Sequence, residues 1–244
     1  HRAFPVVGDG LVHRMAGGEG FAREDAAGAA TMRDAMARAG VGQCVYLSGL
    51  HPSAPEDDLS RHMASRIEVE RLLSSGRTAT LTLRAGVILG AGSTSFEALR
   101  SLCELLPIQP VPSWMRHRVE PVAEVDVLEA LCGALDGRVR RGHADLGCGD
   151  QLTYPDLLRL YSRVARRPTL RVPVPPVPWD LVAHGLAGVV HQDPVTVAAM
   201  IDSLRHDMVC GDRTVARALV PAGWRWTSAE EAVRAALDDE RWRR

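Results

Sequence analysis

The stretch from Gln43 to Gly92 constrains this 244-residue chain more than any other, because it runs strand, helix, strand in the order of an open parallel sheet. Gln43-Cys-Val-Tyr-Leu-Ser-Gly49 is a short apolar run ending on a small hydroxyl and a glycine, the pattern of a strand buried on both faces. A helical segment with His62-Met-Ala-Ser-Arg66 and Glu70 follows. Thr78 to Leu83 then forms a second strand that runs into Arg84-Ala-Gly-Val-Ile-Leu-Gly90. Open parallel sheets bind ligands at the carboxyl ends of their strands, so Ser48 and the turn after Leu83 mark a crevice.

The flanking segments extend the pattern. Phe21 to Arg38 is an alanine-rich helix stopped by Gly40, with Met32 and Met36 one turn apart on its core face. Pro107, Pro110 and Pro112 make an irregular link around Trp114. Val119 to Ala134 reads as a short strand and a helix with Asp126 as its N-cap, and Ala144 to Gly149 as a last short strand. Thr153 caps a further helix with Pro155 in its first turn, ended before Pro168. Pro173 to Pro178 is stiff and extended, Trp224-Arg-Trp226 is strand-like, and Thr227-Ser-Ala-Glu230 has the form of a capping box. The expected fold class is α/β, with a parallel sheet over residues 1–149 and a mainly helical C-terminal cap over 150–244.

Composition narrows the function. The net charge is -1 and the chain has no lysine, so it offers no field for nucleic acid; Arg138-Val-Arg-Arg141 and Arg241-Trp-Arg-Arg244 read as solvated faces. Five scattered cysteines suit a reducing compartment, and Leu181 to Val190 is too short to span a bilayer, so a cytoplasmic protein without a membrane partner is expected. Neither His-Glu-x-x-His nor Cys-x-x-Cys occurs, and no metal is expected; His191 with Asp193 and His206 with Asp207 are weak pairs. A Ser48, His62, Asp126 triad is disfavoured because Leu47-Ser-Gly lacks the flanking glycine of a nucleophile elbow.

Val45-Tyr-Leu-Ser-Gly-Leu50, the His62 to Glu70 helix, Leu83-Arg-Ala-Gly-Val-Ile-Leu-Gly90 and Pro121-Val-Ala-Glu-Val-Asp126 together resemble the short-chain dehydrogenase/reductase superfamily, especially its atypical, epimerase/dehydratase-like branch. The resemblance covers roughly Leu11 to Leu157. It implies NAD(P) as cofactor, a small-molecule substrate that no motif identifies, Ser48 as the hydroxyl closing the strand, and a nicotinamide end lying against His13, Ser48, Arg66 and the Arg84-Ala85-Gly86-Val87 turn. Where the family carries Tyr-x-x-x-Lys, this chain has His62 and Arg66. A phenol beside an ammonium is a poised acid, whereas an imidazole beside a guanidinium is held neutral. Ser48, His62 and Arg66 are therefore the catalytic candidates if the chain is an enzyme.

The family's first strand-to-helix turn carries a glycine fingerprint for the pyrophosphate. Gly8-Asp-Gly10 lacks its third glycine, and Gly90-Ala-Gly92 lacks the acidic residue that should follow. Leu11 to Met15 matches the family's fourth strand, so the resemblance implies that the sheet is a partial Rossmann-like one, made of later strands, that its first half is missing and that pyrophosphate binding by this chain alone is poor. An uncovered edge at that strand would favour a homo-oligomer. The alternatives to an NAD(P)-dependent oxidoreductase or epimerase-like enzyme are a non-catalytic dinucleotide- or partner-binding protein and an inactive fragment.

Overall fold

The computed structural model describes residues 20–52, 54–55, 58–175 and 206–243. In chain order the elements are α1 (Gly20–Arg38), β1 (Gln43–Gly49), α2 (Arg61–Ser74), β2 (Ala79–Ala85), β3 (Val87–Leu89), α3 (Thr94–Leu105) and β4 (Ile108–Val111). After a 3-10 turn at Ser113–Arg116 come β5 (Arg118–Val119), β6 (Pro121–Ala123), α4 (Glu124–Leu135), β7 (Gly142–Leu146), β8 (Leu152–Thr153), α5 (Tyr154–Val164) and β9 (Leu170–Pro173). The last two described helices are α6 (Thr214–Leu219) and α7 (Ala229–Arg243). Two compact units share these elements: His1–Ala85, Leu128–Leu146 and Gly211–Trp224 form the first, and Gly86–Val127, Gly147–Cys210 and Arg225–Arg244 the second.

The first unit is built on a parallel sheet of order β1-β2-β7. Its register aligns Ser48 with Arg84 and Arg84 with Asp145, so one row crosses the carboxyl end of all three strands. Side chains alternate faces along a strand. One face therefore carries Leu47, Leu83 and Ala144 and is apolar, while the other carries Tyr46, Ser48, Thr82, Arg84 and Asp145. Against the second face, Ala29 and Met36 of α1 and Val69 and Leu73 of α2 pack with Cys44, as expected for Met36. Gly40, at a φ of 64°, ends α1 in a Schellman turn with Val41 N–H donating to Met36 O. The tail returns to this unit at Gly211, whose N–H donates to Asp145.

The expected strands Gln43–Ser48 and Thr78–Leu83 are thus adjacent and parallel, with β2 rather than β1 at the centre of the described sheet. The Leu11–Met15 strand lies outside the described residues.

The second unit has a parallel β3-β6 pair, a parallel β4-β9 pair and a short antiparallel β5-β8 pair. Its core joins Phe96, Leu99 and Cys103 of α3 to Leu157, Leu158 and Tyr161 of α5 and to Ala232, Val233 and Ala236 of α7. The glycines Gly90 and Gly92 have a packing explanation here. A Cβ on Gly90 would meet Glu124 Oε2 at 2.2 Å, and Gly92 has a φ of 85°. Ser93 then caps α3.

Two expectations shift in this unit. Asp126 is not the cap of α4 but lies in its first turn, fully buried, and accepts from the N–H and hydroxyl of Thr227. Thr227 being committed there, the capping box forms one residue later, between Ser228 and Glu231. Trp224-Arg-Trp226 is not a strand. A second buried carboxylate, Glu120, accepts from the N–H groups of Gly149 and Cys210, and Gly147 leaves room for it: a Cβ there would meet Glu120 Oε1 at 2.3 Å.

Candidate functional site

The polar face of the first unit's sheet meets α2 where that helix presents His62, Arg66 and Glu70 at successive four-residue steps, a spacing that puts all three on one side. Ser60 fixes the start of the helix by accepting from Met63 N–H.

Arg66 donates through Nε to Nε2 of His62 at 3.0 Å. The bond requires a lone pair on Nε2, so the imidazole is neutral with its proton on Nδ1. Burial, aided by the Arg66 charge, pushes the His62 pKa down to about 4. Such a group is a poor proton donor at neutral pH and a weak base.

Around this pair the face is polar and half-buried. Ser65 Oγ donates to Asp25 at 2.8 Å. Burial raises the Asp25 carboxyl, opposed by that hydrogen bond and by Arg66. Burial also raises the Tyr46 phenol, against the pull of Ser48 and Arg66. Ser48 Oγ itself is buried and makes no aligned hydrogen bond among the described residues, although it lies close enough to the Tyr46 hydroxyl to favour its ionised form.

Arg84 has a different place. It holds Glu70 in a bidentate pair, Nε to Oε2 at 3.0 Å and Nη2 to Oε1 at 2.6 Å, with Asp145 at 4.0 Å. His51 Nε2 lies 3.2 Å from the same carboxylate, an electrostatic contact rather than an aligned hydrogen bond. Burial works to raise the Glu70 pKa, but His51 and Arg84 outweigh it and hold the carboxyl at about 2. Arg84 thereby ties the helix that carries Arg66 to the strand beside Ser48.

The candidates of the sequence therefore separate. Ser48, His62, Arg66, Arg84 and Ala85 belong to the first unit, where Leu50 N–H donates to Ala85 O. Gly86 and Val87 open the second unit, with Val87 paired to Pro121. His13 lies outside the described residues. Tyr46, Asp25, Ser65, His51 and Asp145 were not among the candidates; the period-two step from Ser48 to Tyr46 was the signal for the first, and no local signal pointed to the others. Among the described residues no group of three His, Cys, Asp or Glu side chains is arranged to hold a metal, and no helix is long and apolar enough to cross a membrane.

No protein-family model matches the chain, and no curated protein sequence is significantly similar to it. Solved structures share its fold. The NAD-dependent NDP-hexosamine 5,6-dehydratase TunA, involved in tunicamycin biosynthesis, matches 100% of this chain and 75% of its own at 15% identity and a TM-score of 0.63. RMD from Pseudomonas aeruginosa, in complex with NADPH, matches 100% of this chain and 81% of its own at 15% identity and a TM-score of 0.64. The UDP-glucose 4-epimerase of Thermotoga maritima, with UDP-glucose, matches 95% and 73% at 17% identity and a TM-score of 0.63. The fold is thus the mixed α/β, Rossmann-like arrangement of epimerase/dehydratase structures.

Proposed function

We propose that the carboxyl end of β1 and the facing side of α2 form a binding site for the nicotinamide-ribose end of NAD(P). The observation that carries this reading is the presence on one sheet-facing surface of a buried hydroxyl, Ser48, with no aligned hydrogen bond among the described residues, and of the Arg66 guanidinium, whose one hydrogen bond among the described residues is from Nε to His62. A buried polar atom without a partner is costly, and a ligand hydroxyl or amide would remove that cost. Arg66 has further N–H donors suited to paired ribose hydroxyls, the function that a lysine would otherwise serve. The named cofactors and sugar nucleotides of the fold neighbours are consistent with such a ligand.

When bound, NAD(P) supplies hydride chemistry. This chain's own residues orient it: Ser48 offers a hydroxyl, Arg66 donates hydrogen bonds, and the Glu70–Arg84 pair keeps α2 and β2 in register. Proton transfer is another matter. With His62 near 4 and its Nε2 occupied by Arg66, the pair cannot act as a Tyr-x-x-x-Lys acid. That observation favours a second reading, in which the chain binds the dinucleotide without turning it over.

Calorimetry with NADH and NADPH tests the proposal. Wild type should bind at least one of them, and Arg66→Ala and Ser48→Ala should each weaken it about tenfold, the loss of one good hydrogen-bonding group. Binding unchanged by both substitutions would overturn the placement.

A further inference from the structure

The opposite end of the same sheet carries a second candidate. Val41 and Gly42 before β1, Arg77, Thr78 and Ala79 at the start of β2, and Arg140 and Arg141 before β7 line a cleft of about 480 Å³. That volume falls within the range of small-molecule sites. A seven-residue strand separates it from Ser48 by about 20 Å.

Three features distinguish this cleft from an ordinary solvated face. Its arginines come from two connections far apart in sequence, so their convergence is a product of the fold. Two of them are held in place by the main chain: Arg140 Nη2 donates to Gly42 O at 2.7 Å and Arg141 Nη2 to Arg77 O at 2.9 Å. And none of the three has a carboxylate partner among the described residues, whereas Arg33, Arg84, Arg118, Arg138, Arg163 and Arg225 all have one. In a chain of net charge -1, three adjacent guanidinium groups without acids are a concentrated positive field.

We propose that this cleft binds a small polyanion bearing phosphoryl groups. Each guanidinium has five N–H donors in a planar fork that matches phosphoryl oxygens two at a time, and anchoring by a carbonyl uses one donor while lowering the entropy lost on binding. The short reach of the cleft suits a di- or triphosphate rather than a long nucleic acid backbone. The proposal is independent of the nicotinamide site.

The test titrates the full chain with inorganic pyrophosphate and tripolyphosphate at low ionic strength, and with ATP as a nucleotide source of the same groups. One equivalent should bind, more weakly as salt rises, and Arg140→Gln/Arg141→Gln should lower affinity at least tenfold. Arg77→Gln is the cleaner variant, because the Arg77 side chain holds no bond to the fold among the described residues; it should also lower affinity while leaving the melting temperature of the free chain unchanged. Arg66→Ala should bind as wild type does. Tripolyphosphate binding without ATP binding assigns the site to free polyphosphate, and binding of both assigns it to any exposed phosphoryl chain. No binding of any of the three at low salt, or binding indifferent to Arg77→Gln and to the double variant, would overturn the proposal.

Discussion

Arg66 and His62 stand one turn apart on α2, joined by a hydrogen bond from guanidinium Nε to imidazole Nε2 at 3.0 Å. The bond sets the charge of the site: the arginine is the cation and the histidine its neutral acceptor. In histidine NMR titrations the His62 ring should therefore change protonation near pH 4 rather than near 6.5. In Arg66→Ala the midpoint should rise but stay below 6.5, because burial is the larger cause of the shift and remains.

Stability should depend on pH in the matching window. The unfolded chain protonates His62 below about 6.5 and the folded chain only near 4, so between these values the unfolded state holds more protons. The stability linked to a neutral His62 is complete above about pH 6.5 and is lost as pH falls toward 4, by at most about 3 kcal/mol. Urea unfolding at pH 7 and pH 5 measures it, and His62→Gln should flatten the difference. Glu70 acts in a lower window: its depressed pKa favours the fold above about 4.5 and is lost as pH falls through about 2.

The Glu70–Arg84 pair is largely buried and bidentate, so removing one partner strands the other. Glu70→Ala should cost about 3 kcal/mol or more, and Glu70→Leu with Arg84→Met should recover much of it. Chemical unfolding of the two variants provides the comparison. Equal losses in both would mean that the pair itself, rather than the stranded charge, carries the energy.

In the second unit, Glu120 holds two main-chain N–H groups, those of Gly149 and Cys210, from segments far apart in sequence. Glu120→Ala should destabilise by about 2–4 kcal/mol through the unsatisfied amides and the void left behind. Gly147→Ala should be similarly damaging, since its methyl would occupy the position of the carboxylate. A thermal shift of less than about 2 °C in either variant would contradict this role.

The local elements were legible in the chain because their signals are local. Gln43 to Gly49 is apolar enough to be a buried strand, Gly40 supplies the positive φ that ends α1, and Thr153 with Pro155 starts α5. What the chain conceals is pairing at a distance. Ser228 and Thr227, and Glu230 and Glu231, are equally competent capping partners by type; only the contact of Thr227 with Asp126 decides between them. Likewise the hold of Glu70 on Arg84, and the placement of Arg77 beside Arg140 and Arg141, join residues that no local signal links.

Titration of the ¹⁵N-labelled chain with NADH, following the Arg66 Nε–H and His62 ring signals, tests the central claim most directly. If the nicotinamide-ribose end sits on Ser48 and Arg66, both signals shift in parallel with saturation, and nicotinamide mononucleotide, which lacks the adenylate half, produces the same shifts at higher concentration. NADH that saturates the chain while leaving both signals unmoved would place the cofactor elsewhere and contradict the account.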